Sequence, residues 1–150
     1  MDFDAFRAFV TANADHFRGV HPETPGSLMA VEHRLGVRLP GSLKWLLQTW
    51  GYSTPCGIGS LAEAVETTER ARQVLKLPER YIVLNDWNDA GVVFLDSGGA
   101  LDSESWPVYW SSAHNLGRVA AGEKMDADCN NFAGFAEWVK SRLAEMLDEA

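Results

Sequence analysis

The sequence predicts an α+β domain in which a small, mainly antiparallel sheet packs against N-terminal and C-terminal helices. Three observations carry that expectation. Apolar residues recur at helical spacing in the first half of the chain and again at its end. Between those stretches the period shortens to β-rich runs separated by polar turns. No repeat, low-complexity tract or long linker interrupts the 150 residues, so a single domain over residues 1–150 is expected.

Each element has its own signal. Phe3, Phe6, Val10 and Phe17 share one helical face, with Asp2 and Asp4 at the positive end of the dipole and Gly19 as a stop. After His21-Pro22, Thr24 reads as an N-cap with Pro25 at the first helical position; Leu28, Val31 and Leu35 follow, and Gly36 ends the helix. Leu39-Pro40 opens a third helix with Leu43, Leu46, Leu47 and Trp50 on one stripe and Gly51 as its left-handed terminator. Ser60 with Glu63 forms a capping box for a helix turning Leu61, Ala64, Val65, Thr68 and Leu75 inward, closed by Leu77-Pro78. Tyr81–Leu84 and Val92–Leu95 predict a hairpin around the turn 85–89, and Val108-Tyr109-Trp110 a third strand after Ser97-Gly98-Gly99. The last helix carries Phe132, Phe135, Val139, Leu143 and Met146 inward and Glu137, Lys140 and Glu145 outward.

Composition excludes several classes of function. A formal charge of −8 opposes binding to phosphate backbones or anionic lipid, so neither nucleic acid nor a membrane is expected as a direct partner. No apolar run approaches the roughly 20 residues that span a bilayer. Cys56 and Cys129 form neither a disulfide framework nor a close-spaced zinc pair, and the acidic start of the chain is unlike a signal peptide; a cytoplasmic location is expected. The charge is uneven: residues 1–50 are balanced, whereas residues 101–150 carry more than twice as many acidic as basic side chains.

The candidate chemical motifs are incomplete. Gly57-Ile58-Gly59 with Ala62 matches part of a dinucleotide fingerprint, but the strand that must precede it is missing, which leaves a glycine-permitted turn. Asp126, Asp128, Asn130 and Glu137 stand at the first, third, fifth and twelfth places of a calcium loop. Asn131 replaces the glycine of its sharp turn and Val119–Met125 makes no entering helix, so capping of the last helix is expected instead. Asp86-Trp87-Asn88 begins a similar pattern that fails at Ala90 and Ser97 and reads as a turn. His16, His21, His33 and His114 are scattered over a helix, a loop, a helix and a loop, with no serine or cysteine elbow. Neither cysteine has a flanking cation to stabilise a thiolate. No catalytic residue, metal or cofactor is expected. Trp87, Trp106 and Trp110 lie among Asp86, Asp89, Asp102 and Glu104, a pattern that suits a protein interface. The rings anchor and the carboxylates steer a basic partner, although Trp110 beside Val108 equally suits a core.

The order of the motifs resembles the SUKH superfamily. Glu32, Leu35-Gly36, Leu39-Pro40, an apolar helix and Gly51 are similar to its opening, with Trp50 where the family has asparagine. The Tyr81–Leu84 strand, the acidic turn, Gly91 with Val92–Asp96, Pro107-Val108-Tyr109 and the Phe132-Phe135-Trp138 helix resemble the remainder, covering residues 24–147. The resemblance implies an α+β fold and, for bacterial members, an immunity protein that neutralises a polymorphic toxin, often a nuclease or deaminase. Fungal relatives regulate cell-wall synthesis. It implies no catalytic set, so Glu32, Gly36, Pro40 and Gly51 carry over as structural positions. The leading expectation is thus an immunity protein that binds and occludes a toxin domain with a basic surface, through Asp86, Trp87, Asp89, Asp102, Glu104 and Trp106. A non-catalytic adaptor or regulator is the alternative, and an enzyme of unknown substrate stands third.

Overall fold

A computed structural model of the chain describes residues 1–97, 106–126 and 129–149. Helix α1 (Phe3–Ala12) is capped by Asp2, whose carboxylate accepts the Ala5 N–H at 2.7 Å. The single first helix expected from the stripe is broken at Asn13. Its side-chain amide donates to Phe9 O at 2.9 Å, and the short helix α2 (Ala14–Phe17) restarts after it. The stripe survives the break, because Phe6, Val10 and Phe17 are all buried.

Helix α3 (Pro25–Leu35) starts where Thr24-Pro25 places it, with Thr24 and Ser27 capping each other reciprocally, and ends at Gly36 with φ 72°. Helix α4 (Gly41–Thr49) follows Pro40, and Gly51 turns the chain at φ 78°. Helix α5 (Leu61–Val74) is capped by Ser60, which accepts the Glu63 N–H at 3.0 Å. It buries Leu61, Ala64, Val65 and Thr68 as expected, but Leu75 lies beyond its end and is exposed; Leu77 fills that place in the core.

Strands β1 (Tyr81–Asp86), β2 (Val92–Asp96), β3 (Val108–Ser111) and β4 (Asn130–Phe132) pair in that order, each antiparallel to the next. Two further elements depart from the sequence reading. Helix α6 (Ala113–Ala120) joins β3 to β4, and Phe132 belongs to β4 rather than to the closing helix α7 (Phe135–Glu149). Asn115 and Gly117 weaken the local helix signal of α6, while two adjacent asparagines are poor strand formers; tertiary contacts set both elements.

The sheet is covered on both faces. Ile82, Leu84, Val93, Leu95 and Val108 join Phe6, Leu28, Leu46, Phe135 and Trp138 in the larger core. Tyr81, Val83, Val92 and Phe94 face the other way, onto Ala71, Leu77, Leu116 and Val119. The β1 and β2 runs are therefore apolar at successive positions instead of alternating. A bulge between Val83 and Asn85 sets Asn85 opposite Val93, on the face of the larger core.

Candidate functional site

The turn after β1 is built by Asp86. Its carboxylate accepts the Asn88 N–H at 2.9 Å, and Trp87 N–H donates to Gly91 O at 2.8 Å, closing the hairpin. Trp87 is held half-buried at the lip of a cleft. Its ring meets Trp110 edge-on at 5.7 Å, stacks on Trp138 at 6.3 Å, and carries the Arg142 guanidinium 4.9 Å from its centroid. The neighbours are themselves fixed: Trp110 Nε1 donates to Ala90 O at 2.8 Å, and Trp138 is fully buried on α7.

Gly57 makes this stacking possible. It follows a 3-10 turn over Thr54–Cys56 at φ 67°, and a Cβ there would overlap the Trp138 ring. The Gly57-Ile58-Gly59 segment is thus a turn, as the sequence indicated, and it forms one wall of the cleft. Asn85, re-aimed by the bulge, donates to Gly57 O at 2.9 Å and ties β1 to that wall.

The opposite wall comes from the chain leaving α2 and α4. Val20 and Tyr52 exchange backbone hydrogen bonds of 3.0 and 2.8 Å, and Gly19 N–H donates to Trp50 O at 3.0 Å. The Tyr52 hydroxyl donates to Glu23 at 2.6 Å and accepts the Leu61 N–H at 3.0 Å. Burial, followed by the bond to Glu23, pushes its pKa well above the ordinary tyrosine range.

The resulting cleft is open to solvent and holds about 490 Å³. His16, Arg18 and Arg142 line it, and among the described residues no Asp or Glu does. The Arg142 Nη2 reaches Thr54 O at 3.4 Å, while its Nε is buried without a hydrogen-bond partner. Sequence reasoning missed this cationic cleft, since Arg18 and Arg142 come from opposite ends of the chain and share no local motif.

The expected interface residues are dispersed. Asp86 is exposed and Trp87 forms the lip, and Asp89 lies in the 3-10 turn Asn88–Ala90. Trp106 is only 7% exposed and packs in the larger core, so its expected role as a partner contact gives way to a packing role. Asp102 and Glu104 lie outside the described residues.

The calcium-like residues have other partners. Asp126 pairs with Arg118 at 3.8 Å and gives its N–H to Asn115 Oδ1 at 2.9 Å. Asn130 pairs within the sheet and Glu137 holds the N-terminal amine, while Asp128 lies outside the described residues. The expected capping of the last helix does not arise from Asp126 or Asn130, because β4 intervenes before α7. Among the described residues no group of three metal-ligating side chains occurs. All four histidines are exposed, and His114 stands on α6 rather than in the loop expected for it. Cys56 is fully buried, and burial pushes its thiol pKa up, away from a reactive thiolate.

Among the described residues no helix is long and apolar enough to cross a membrane. Nothing matches the chain among curated proteins or solved structures. The model of the SMI1/KNR4 family (SUKH-1) matches residues 22–138, from the loop before α3 into α7. That span contains Glu32, Gly36, Pro40 and Gly51, all at the ends of helices, as well as the sheet and the Trp87 turn. The chain belongs to the SMI1/KNR4 (SUKH-1) family.

Proposed function

We propose that this protein is an immunity protein that neutralises a toxin domain by binding and covering it. The observation that carries the reading, beside the family, is Trp87: a large ring held by Trp110, Trp138 and Arg142, yet left half-buried at an open cleft. A rigid aromatic at a lip is a suitable interface anchor, since little side-chain freedom is left to lose on binding. Asp86 and Asp89 beside it, with Asp102 and Glu104, would steer a partner whose active surface is basic, such as a nuclease cleft. Blocking is then steric and electrostatic and requires no chemical step by this chain.

The test is co-expression with a candidate toxin domain encoded beside it, scored by growth rescue and co-purification, followed by binding kinetics at several salt concentrations. Trp87→Ala is expected to speed dissociation and to cost about 2 kcal/mol or more. Neutral amides at 86, 89, 102 and 104 are expected to slow association mainly at low salt, because the Debye length is about 8 Å at 0.15 M. Salt-independent association, with unchanged binding by both variants, would put the interface elsewhere. Binding without rescue of growth would favour a regulatory adaptor.

A further inference from the structure

We infer that the cleft beside Trp87 takes one carboxylate side chain of the protein partner, held by Arg142 and Arg18, with an adjoining apolar side chain laid on Val20 and Trp87. This deepens the reading above and rests on it in one respect, that the occupant belongs to a protein. The acidic lip would receive basic side chains of the partner, and the cleft an acidic one, so the recognised surface carries both signs.

The charge of the cleft is the first reason. In a chain of net charge −8, its lining holds His16, Arg18 and Arg142 and, among the described residues, no carboxylate. Of the described carboxylates around it, Asp15 lies 3.7 Å from Arg18 across an exposed pair, Asp86 accepts a hydrogen bond within its own turn, Glu23 accepts from the Tyr52 hydroxyl, and Glu63 comes up behind Gly59 without lining the cleft. An exposed pair of that kind contributes little and yields readily to a better placed acceptor.

The state of Arg142 is the second reason. Its guanidinium is laid over Trp87, a long bond to Thr54 O uses one N–H, and the buried Nε has no acceptor. A planar fork held by a ring face is pre-organised for two parallel bonds to a carboxylate. A carboxylate that draws the guanidinium toward the cleft would also give the buried Nε–H an acceptor.

The apolar lip selects the kind of anion. Val20 is 60% exposed and stands with Trp87 on the same cleft, offering apolar surface that a free phosphate cannot cover. The overall negative charge repels a polyphosphate or nucleic acid at long range, whereas a single carboxylate on a mixed protein surface meets little of that repulsion.

The experiment is an NMR titration of the full chain with four probes: N-acetyl-Glu-Leu-amide, its Gln counterpart, inorganic phosphate and oligothymidylate. The readouts are the Trp87 indole N–H and the Arg142 Nε–H. The Glu peptide is expected to shift both signals with a millimolar Kd, about tenfold tighter than the Gln peptide. Arg142→Gln is expected to abolish the effect. Arg18→Gln, at an exposed position where folding is not at risk, is expected to weaken it about threefold. Equal binding of the two peptides, no shift from either, or an unaltered response in Arg18→Gln would overturn the proposal. Tighter binding of phosphate or oligothymidylate would overturn it in favour of a phosphate site. Because no toxin is present, growth rescue with no peptide response would sink the cleft assignment alone, and a peptide response with no rescue would sink the immunity reading alone.

Discussion

The Glu32 carboxylate, in the last turn of α3, accepts the Leu39 N–H at 2.7 Å and faces the Lys44 ammonium at 3.2 Å. It thereby spans the turn at Gly36 and fixes where α4 begins, which gives the spacing Glu32, Leu35-Gly36, Leu39-Pro40 a physical cause. A charge-assisted bond of this kind is worth about 1.5–3 kcal/mol. Glu32→Ala is expected to lose about that much in urea denaturation, and Glu32→Gln clearly less, since an acceptor oxygen remains. Equal losses in the two variants would mean that the bond to Leu39 is not what matters.

Thr68 joins α5 to the edge of the sheet. Its buried hydroxyl accepts the Val83 N–H at 3.0 Å and donates to Val83 O at 3.3 Å, satisfying both outward backbone groups of an edge strand. Thr68→Val keeps the shape and removes both bonds, and is expected to cost about 1–3 kcal/mol for each group left unpaired. Thr68→Ser keeps the hydroxyl and is expected to cost about 1 kcal/mol for the missing methyl. Chemical denaturation, with amide exchange at Val83, checks the order; serine costing more than valine would refute it.

Gly57→Ala tests the wall of the cleft. The left-handed backbone alone costs an alanine about 1–2 kcal/mol, and the added methyl must also displace the Trp138 ring. A loss above about 2 kcal/mol is expected, together with altered near-ultraviolet dichroism from the Trp87–Trp138 stack. A near-neutral substitution with an unchanged spectrum would contradict this packing.

The tyrosines set a direction for alkaline stability. Tyr52, Tyr81 and Tyr109 are all raised above their ordinary value, in each case chiefly by burial. A raised folded pKa means that this stability is complete below the unfolded value, about 10, and is lost as pH climbs from there through the folded pKa. Tyr52→Phe is expected to be less stable at neutral pH, because the Leu61 N–H loses its acceptor and Glu23 keeps only its bond from Ser27, yet to fall less steeply above pH ~10. Melting curves from pH 8 to 11 compare the slopes; parallel profiles would show that Tyr52 ionises alike in both states.

The sequence by itself determined the elements whose signals are local. Thr24-Pro25, Gly36, Ser60 and Gly51 mark helix ends with side chains or backbone conformations that act within a few residues, and the structure uses all four as such. The α+β class was legible for the same reason, as the apolar period changes where α5 gives way to the β1–β2 hairpin. Tertiary structure alone decided the rest. Helix α6 and strand β4 exist because Leu116 and Val119 close the second face of the sheet and because β3 supplies a partner for Asn130–Phe132. Trp87 and Trp106 are the same residue type in similar acidic surroundings, so only packing settles that one stays at the lip while the other enters the core. The cationic cleft was illegible in kind: it needs Arg18 from the start of the chain and Arg142 from its end, and their meeting depends on long-range contacts that no local spacing encodes.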